Sequence, residues 1–319
     1  MRRLMLSVRS YSKFMSSEDW QFAEGLRLAG WFTAYADEGS VPELLDHYQP
    51  DTVLLADPRD FRLDSAGCFD RSAEFRDYDA LRDCGATVLT VLKDAGSVPR
   101  LQLEVIERVQ PHAFVTWYHE QSIRPLCKWL APDFQLIRTY HTVDADDVRA
   151  IRPEVGERQR GCVTGARRAL YPVRELAYEN AAALGLNVMR HPGYRATGSH
   201  TSAYLRYLAG FKVSVATASV FGFALRKIIE SVAVGCAVVS TLPVHDMPLP
   251  AIDDTPWMRL PNDCGVDTLR SAVDMAECGW TPQEAAVNSS RVIACYDYRY
   301  MGQKLTHDID SFAAQRAAA

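Results

Sequence analysis

Nowhere in the sequence does an apolar run approach the roughly 20 residues needed to cross a bilayer. The amino terminus, MRRLMLSVRSYSKFMSS, has positive charge, but its apolar run is broken by Arg9 and Lys13, so it does not read as a secretory signal. No CxxC pair and no Cys/His cluster occurs among the 8 cysteines, which argues against a zinc site and for free, buried thiols in a cytoplasmic protein. No GxGxxG follows the first strand-like segment, so the dinucleotide fingerprint is absent. Basic residues are not in excess: the net charge of −5 excludes a general coat for nucleic acid, though it leaves local basic patches open. With 48% hydrophobic and 24% charged residues, no disorder class applies.

What is present is an alternation. Strand-like runs at 1–8, 31–36, 52–56, 87–92, 113–117 and 134–139 are separated by helix-like segments at 18–29, 41–48, 73–83, 99–109 and 121–129. Strands alternating with helices predict a doubly wound parallel sheet. A chain of 319 residues suits two domains of about 150 each. The polar segment DADDVRAIRPEVGERQRG, interrupted by Pro153 and Gly156, reads as the connector, which gives domains 1–150 and 151–319. In the second domain, helices are predicted at 171–183, 202–208, 267–276, 282–296 and 300–314, with a strand at 186–190 and a proline-rich loop after Thr241.

Open α/β sheets bind ligands at the carboxyl ends of their strands. In the first domain those ends carry Ser10, Asp57 with Arg59 and Asp60, Tyr118 with His119 and Glu120, and Tyr140 with His141 and Asp144. They serve either as a cleft wall or as caps and solvated loop residues. His119 and His141 are the candidates for general acid/base work, since imidazole titrates near neutral pH, and Asp57 is the third. Asp144-Ala145-Asp146 has the form of a metal-binding DxD, but the acidic residues here also suit a helix start. From Arg149 to Arg174 stand seven arginines against two glutamates, either a solvated linker face or a positive rim for a phosphate-bearing ligand, nucleic acid included.

The most informative stretch is FKVSVATASVFGFALRKIIESVAVGCAVVST, residues 211–241. It reads as a βαβ unit: a buried strand at 211–218, a helix at 223–234 stopped by Gly235, and a strand at 236–241. Arg226 and Glu230 share a helix face with Lys227 beside them, while Leu225, Ile228, Ile229 and Val232 form the apolar stripe. Two readings stand: a surface i,i+4 pair, or two cations at a helix amino terminus that receive a diphosphate, with a carboxylate one turn on for a ribose diol.

The pattern GFALRKIIESVAVGCAVVS resembles the donor-site helix of GT-B glycosyltransferases, most closely the spore maturation protein CgeB-type glycosyltransferases, through Leu225, Arg226, Lys227, Glu230 and Gly235. Tyr171-Pro172-Val173-Arg174 and His191-Pro192-Gly193-Tyr194 fall upstream in that family's order, so the resemblance spans about residues 161–243. It implies an α/β fold of two Rossmann-like doubly wound domains facing a cleft, with the acceptor on the first, the donor on the second and the last helix packing back on the first. The implied activity is transfer of a hexosyl or pentosyl group from a nucleotide-diphosphate sugar, such as a UDP-sugar, to an acceptor hydroxyl, with no metal and no cofactor. The donor-binding residues it implies are Gly222, Phe223, Arg226, Lys227, Glu230, Arg167, Arg168, His191, Gly193 and Tyr194. Many retaining members carry a second glutamate eight residues upstream of the ribose-binding one; here that place holds Gly222, so the stereochemical outcome stays open. A modified base in phage DNA as acceptor, a sugar-nucleotide epimerase, and a non-catalytic nucleotide-sugar-binding protein are the alternatives.

Overall fold

Strands β1 (Arg3–Ser7), β2 (Phe32–Tyr35), β3 (Thr52–Leu55), β4 (Thr87–Val91), β5 (Ala113–Thr116) and β6 (Leu136–Arg138) are short, and those of the sheet centre are buried along their length. Such runs are what a parallel sheet covered on both faces requires. The computed structural model describes residues 1–7, 18–57, 76–93, 95, 100–151, 157–165, 167, 169–190, 200–243, 249, 251–252 and 257–318. Its contacts divide the chain into two units: Met1–Tyr140 with Tyr298–Ala319, and His141–Asp297.

Unit 1 is a six-stranded sheet in the order β2-β1-β3-β4-β5-β6, parallel throughout. Its helices are α1 (Glu18–Leu28), α2 (Val41–Tyr48), α3 (Ala80–Asp83), α4 (Arg100–Val109) and α5 (Glu120–Ile123), joined by the carboxy-terminal helix at Tyr298–Ala318. That last helix docks on α1 at a glycine pair. A Cβ on Gly302 would lie 2.2 Å from the Gly25 carbonyl carbon, and one on Gly25 would lie 2.3 Å from the Tyr298 carbonyl oxygen, so both positions need glycine for the backbones to approach. Trp31 Nε1 donates to Thr306 Oγ1 at 2.8 Å, and Arg3 makes a two-pronged pair with Asp310 at 2.9 and 2.6 Å.

Two expected helices in unit 1 are shorter than their patterns. Within 73–83 the described helix is the single turn α3, because Asp77 takes a left-handed backbone (φ 62) just before it. The segment expected at 121–129 is helical only in α5, since Pro125 has no amide to continue the ladder and the chain goes on in turns to Leu130.

Unit 2 has helices α6 (Ala145–Ile151), α7 (Pro172–Glu179), α8 (Ala181–Leu184), α9 (His200–Ala209), α10 (Arg226–Ala233), α11 (Val266–Cys278) and α12 (Pro282–Tyr296), which makes the carboxy-terminal helix α13. Its strands β7 (Gln159–Gly165), β8 (Leu186–Arg190), β9 (Phe211–Val215), β10 (Ala237–Ser240) and β11 (Trp257–Arg259) form a parallel sheet in the order β11-β10-β9-β7-β8. Val163, Val213, Val215 and Val239 pack under Val173, Ala177, Leu269, Val273 and Ala276 to make its core. Counted from its own first strand, this sheet has the same order as the first five strands of unit 1. In each sheet the chain reverses direction beside the first strand, between β1 and β3 and between β7 and β9, and such a switch point leaves a crevice at the strands' carboxyl ends.

Strand β11 is absent from the sequence reading, being three residues long at a sheet edge. Of the described cysteines, Cys127, Cys162 and Cys236 are buried, Cys84, Cys264 and Cys295 are partly so and Cys278 is exposed; all are free. Among the described residues no helix is long and apolar enough to cross a membrane.

Candidate functional site

The switch point of unit 2 gathers charge. Strand β7 ends at Gly165, whose φ of +109 turns the backbone in a way a side chain would resist. A Cβ placed there would stand 3.3 Å from Lys227 Nζ and 3.2 Å from Arg174 Nη1, so the glycine holds open the space onto which two cations converge.

Arg174 is on the first turn of α7, which Pro172 opens. Its side chain is buried, with Nε and Nη2 donating to Thr217 Oγ1 at 3.1 and 2.8 Å and the guanidinium 3.8 Å over the Tyr171 ring. Burial lowers its pKa. Thr217 lies just past the end of β9, the other strand of the switch point.

Lys227 is on the first turn of α10, and burial, then the neighbouring Arg174, hold its ammonium well below the usual lysine range, with Glu230 pulling the other way. Arg226 and Glu230 prove to be a buried pair, not a surface one: Nε to Oε1 is 3.1 Å, and the side chains are 9% and 8% exposed. Arg226 Nε also donates to the Thr142 carbonyl at 3.1 Å. Behind them Tyr204 hydrogen-bonds Thr164 Oγ1 at 2.9 Å, and burial together with the Glu230 carboxylate pushes its phenol well up, so it stays neutral.

Helix α10 begins at Arg226, three residues later than its pattern predicts, because Ser219 organises the preceding loop. Ser219 Oγ accepts from the amides of Phe221 and Phe223 at 3.2 and 3.0 Å, and its own amide donates to the Phe223 carbonyl at 2.9 Å. Gly222 sits in this loop at φ +75, and Phe223 is buried at 1% exposure as a packing residue. The late start puts Arg226 and Lys227 at the first two helical positions, where a helix supplies no partner for the amide groups.

The other expected residues are placed as follows. Arg167 turns to Glu175 and Glu179, at 2.6 and 3.4 Å, on an exposed face. Arg168, His191, Gly193 and Tyr194 lie outside the described residues, as do Ser10, Arg59 and Asp60. His141 is buried in unit 2, and its Nε2 donates to the Ala224 carbonyl at 3.0 Å, pinning the loop before α10. His119 and Asp57 belong to unit 1. His119 caps α5, its Nδ1 accepting from the Gln121 amide at 3.2 Å. Asp57 is fully buried, its Oδ2 3.4 Å from both the Lys93 amide and Gln102 Nε2, with Lys93 Nζ in turn 2.6 Å from Asp19. Asp146 and Asp147 stand in the first turn of α6, with Asp144 Oδ1 accepting from the Asp146 amide at 2.9 Å. Among the described residues no group of three or more His, Cys, Asp or Glu side chains could hold a metal ion.

The basic stretch is spent internally where it is described. Arg149 pairs with Asp146, Arg158 donates to the carbonyls of Phe211 and Val234, Arg160 pairs with Asp274 and Glu277, and Arg167 and Arg174 are engaged as above. Arg174 and Thr217 are the site residues that the sequence reading leaves unassigned. The signal for Arg174 was its place in the Tyr-Pro-x-Arg stretch.

No family model matches the chain, and no curated protein does. Solved structures do. Sucrose-phosphate synthase from Thermosynechococcus elongatus superposes with a TM-score of 0.60 at 12% identity, covering 100% of this chain and 100% of that one. A glycosyltransferase from Rickettsia africae gives 0.58 at 11% identity over 98% of each chain. Anabaena HepE in complex with UDP-glucose gives 0.56 at 10% identity over 98% of this chain and 100% of that one. The chain therefore has the two-sheet, Rossmann-like α/β fold of these glycosyltransferase structures over nearly its whole length.

Proposed function

We propose that the protein is a GT-B-type glycosyltransferase that moves a hexosyl or pentosyl group from a nucleotide-diphosphate sugar, UDP-linked as in the HepE complex, to an acceptor hydroxyl in the cytoplasm. The observation that carries this reading is the convergence of Arg174 and Lys227 on Gly165 at the switch point of unit 2. Cations in the first turn of a helix oppose its dipole, and an arginine placed before its glutamate is the weaker orientation of an i,i+4 pair. Helix stability does not account for this arrangement; an anion seated on α10 does.

In this reading the diphosphate lies against Arg174, Lys227 and the first amides of α10, and Glu230, held by Arg226, receives the ribose diol. Transfer breaks the bond between the anomeric carbon and the diphosphate oxygen. It forms one to the acceptor oxygen, and the acceptor proton leaves to a base or to the departing diphosphate. The two cations stabilise the charge that builds on the leaving group, the work for which other enzymes use a metal. Unit 1 takes the acceptor. Kinship with the CgeB-type enzymes rests on the sequence resemblance over about residues 161–243, chiefly the Leu225 to Gly235 pattern. A DNA acceptor draws no support from the described arginines, since Arg149, Arg158, Arg160 and Arg167 are engaged within the unit and Arg174 belongs to the donor site.

Thermal-shift measurements against a panel of nucleotide sugars test the donor site. A UDP-sugar is expected to raise the midpoint of the wild type, with the ligand-induced rise lost in Glu230→Ala. Stabilisation by no nucleotide sugar, or an equal rise in the variant, refutes the assignment. Product analysis then separates transfer from epimerisation and from binding without turnover.

A further inference from the structure

The two cations at Gly165 differ in one chemical respect. A guanidinium keeps its proton under all protein conditions, whereas a lysine ammonium can give its proton up. Lys227 interacts with Arg174 of α7, which converges with it on Gly165, and with Glu230 of its own helix; Tyr204 of α9 stands behind Glu230, and Arg226, the partner of Glu230, also interacts with Asp147 of α6. Tyr171 and Tyr178 face Arg174. Glu230 is the carboxylate that interacts with Lys227, and it is bound to Arg226 at 3.1 Å. Lys227 thus stands beside a second cation, Arg174, while the Glu230 carboxylate is already bound to Arg226, and Lys227 is the member that can relieve the repulsion by losing a proton.

A diphosphate reverses that balance, since it brings two negative charges to within contact of Lys227 Nζ and restores the preference for the ammonium. Resting on the donor reading above, we propose that anion binding at the carboxyl end of β7 is coupled to uptake of one proton by Lys227 Nζ from solvent. The donor site then binds its ligand together with a proton, and affinity falls as pH rises. The direction of the lysine's shift agrees with this.

The test is calorimetry with UDP-glucose as probe, in two buffers of unlike ionisation enthalpy at each pH. A range of about pH 6.5 to 8.5 suits it, because the diphosphate diester does not titrate there. The expected result is a buffer-dependent heat that corresponds to net proton uptake, with affinity falling by up to about tenfold per pH unit where uptake is complete. Lys227→Arg, which stays charged in the empty site, is expected to bind with no uptake and with pH-independent affinity. Binding of UDP-glucose to the wild type with buffer-independent heats across the range overturns the coupling and leaves the donor site standing; this outcome needs no variant to fold. The same uptake in Lys227→Arg assigns the proton elsewhere and also overturns it. No binding of UDP-glucose at all removes the donor reading and this inference with it.

Discussion

Glu230 shows how much a single buried carboxylate carries. Its partner Arg226 is buried beside it, so Glu230→Ala leaves a guanidinium without its counter-ion in a low-dielectric setting. A loss of about 3 kcal/mol is expected, read by urea denaturation at neutral pH. The ligand-induced thermal shift must therefore be compared with each variant's own unliganded midpoint. Arg174→Lys keeps the charge but gives up the stacking on Tyr171 and the two-pronged grip on Thr217. Nucleotide-sugar affinity is expected to weaken by about tenfold, near 1.4 kcal/mol, in a calorimetric titration. The sequence made Arg226, Lys227 and Glu230 visible because four-residue spacing on an amphipathic helix is a local signal. Their burial was not visible, since it depends on the Thr142 carbonyl, 84 residues away in the chain. The burial of Arg174 is hidden for the same reason, since Thr217 lies 43 residues on; its place in the Tyr-Pro-x-Arg stretch is the one local mark that separates it from Arg167, which points at two glutamates on an exposed face.

Elements whose ends are written in local chemistry were the legible ones. Helix α12 runs over the range its sequence predicts, from Pro282 to Tyr296, because Thr281 caps it by accepting from the Glu284 amide at 3.1 Å and proline occupies the first turn. Thr281→Ala is expected to cost about 1 kcal/mol of stability in a denaturant titration. Nucleotide-sugar binding should be unchanged, because the cap is at the end of the unit remote from the β7 carboxyl end. Helix α2 likewise follows its prediction, with Glu43 accepting from both the amide and the hydroxyl of Ser40 at 2.7 and 2.8 Å. Where a boundary is set by a side chain that reaches across a loop, the periodic pattern overruns, as at Ser219 before α10.

At the scale of the whole chain, the alternation of strand and helix sufficed for two Rossmann-like sheets, and the order of their strands required coordinates. Unit 2 is a continuous segment, His141–Asp297, with its own core, whereas unit 1 is assembled from both ends of the chain. Residues 141–297 expressed alone are therefore expected to give a cooperative thermal transition and a dispersed proton NMR spectrum. Residues 1–140 alone should not, because they lack the helix that covers α1; adding the segment 298–319 as a peptide should restore the transition.

The glycine contact between α1 and α13 also sets a timetable. Ribosomes deliver residues at roughly 5–20 per second from the amino terminus, and domains generally fold as they emerge. Gly302 reaches Gly25 only after the whole of unit 2 has been made, so the half of the protein that is synthesised first is the last to close. During that interval the face of α1 around Gly25 is open, and the chain's own final helix is what ends its exposure.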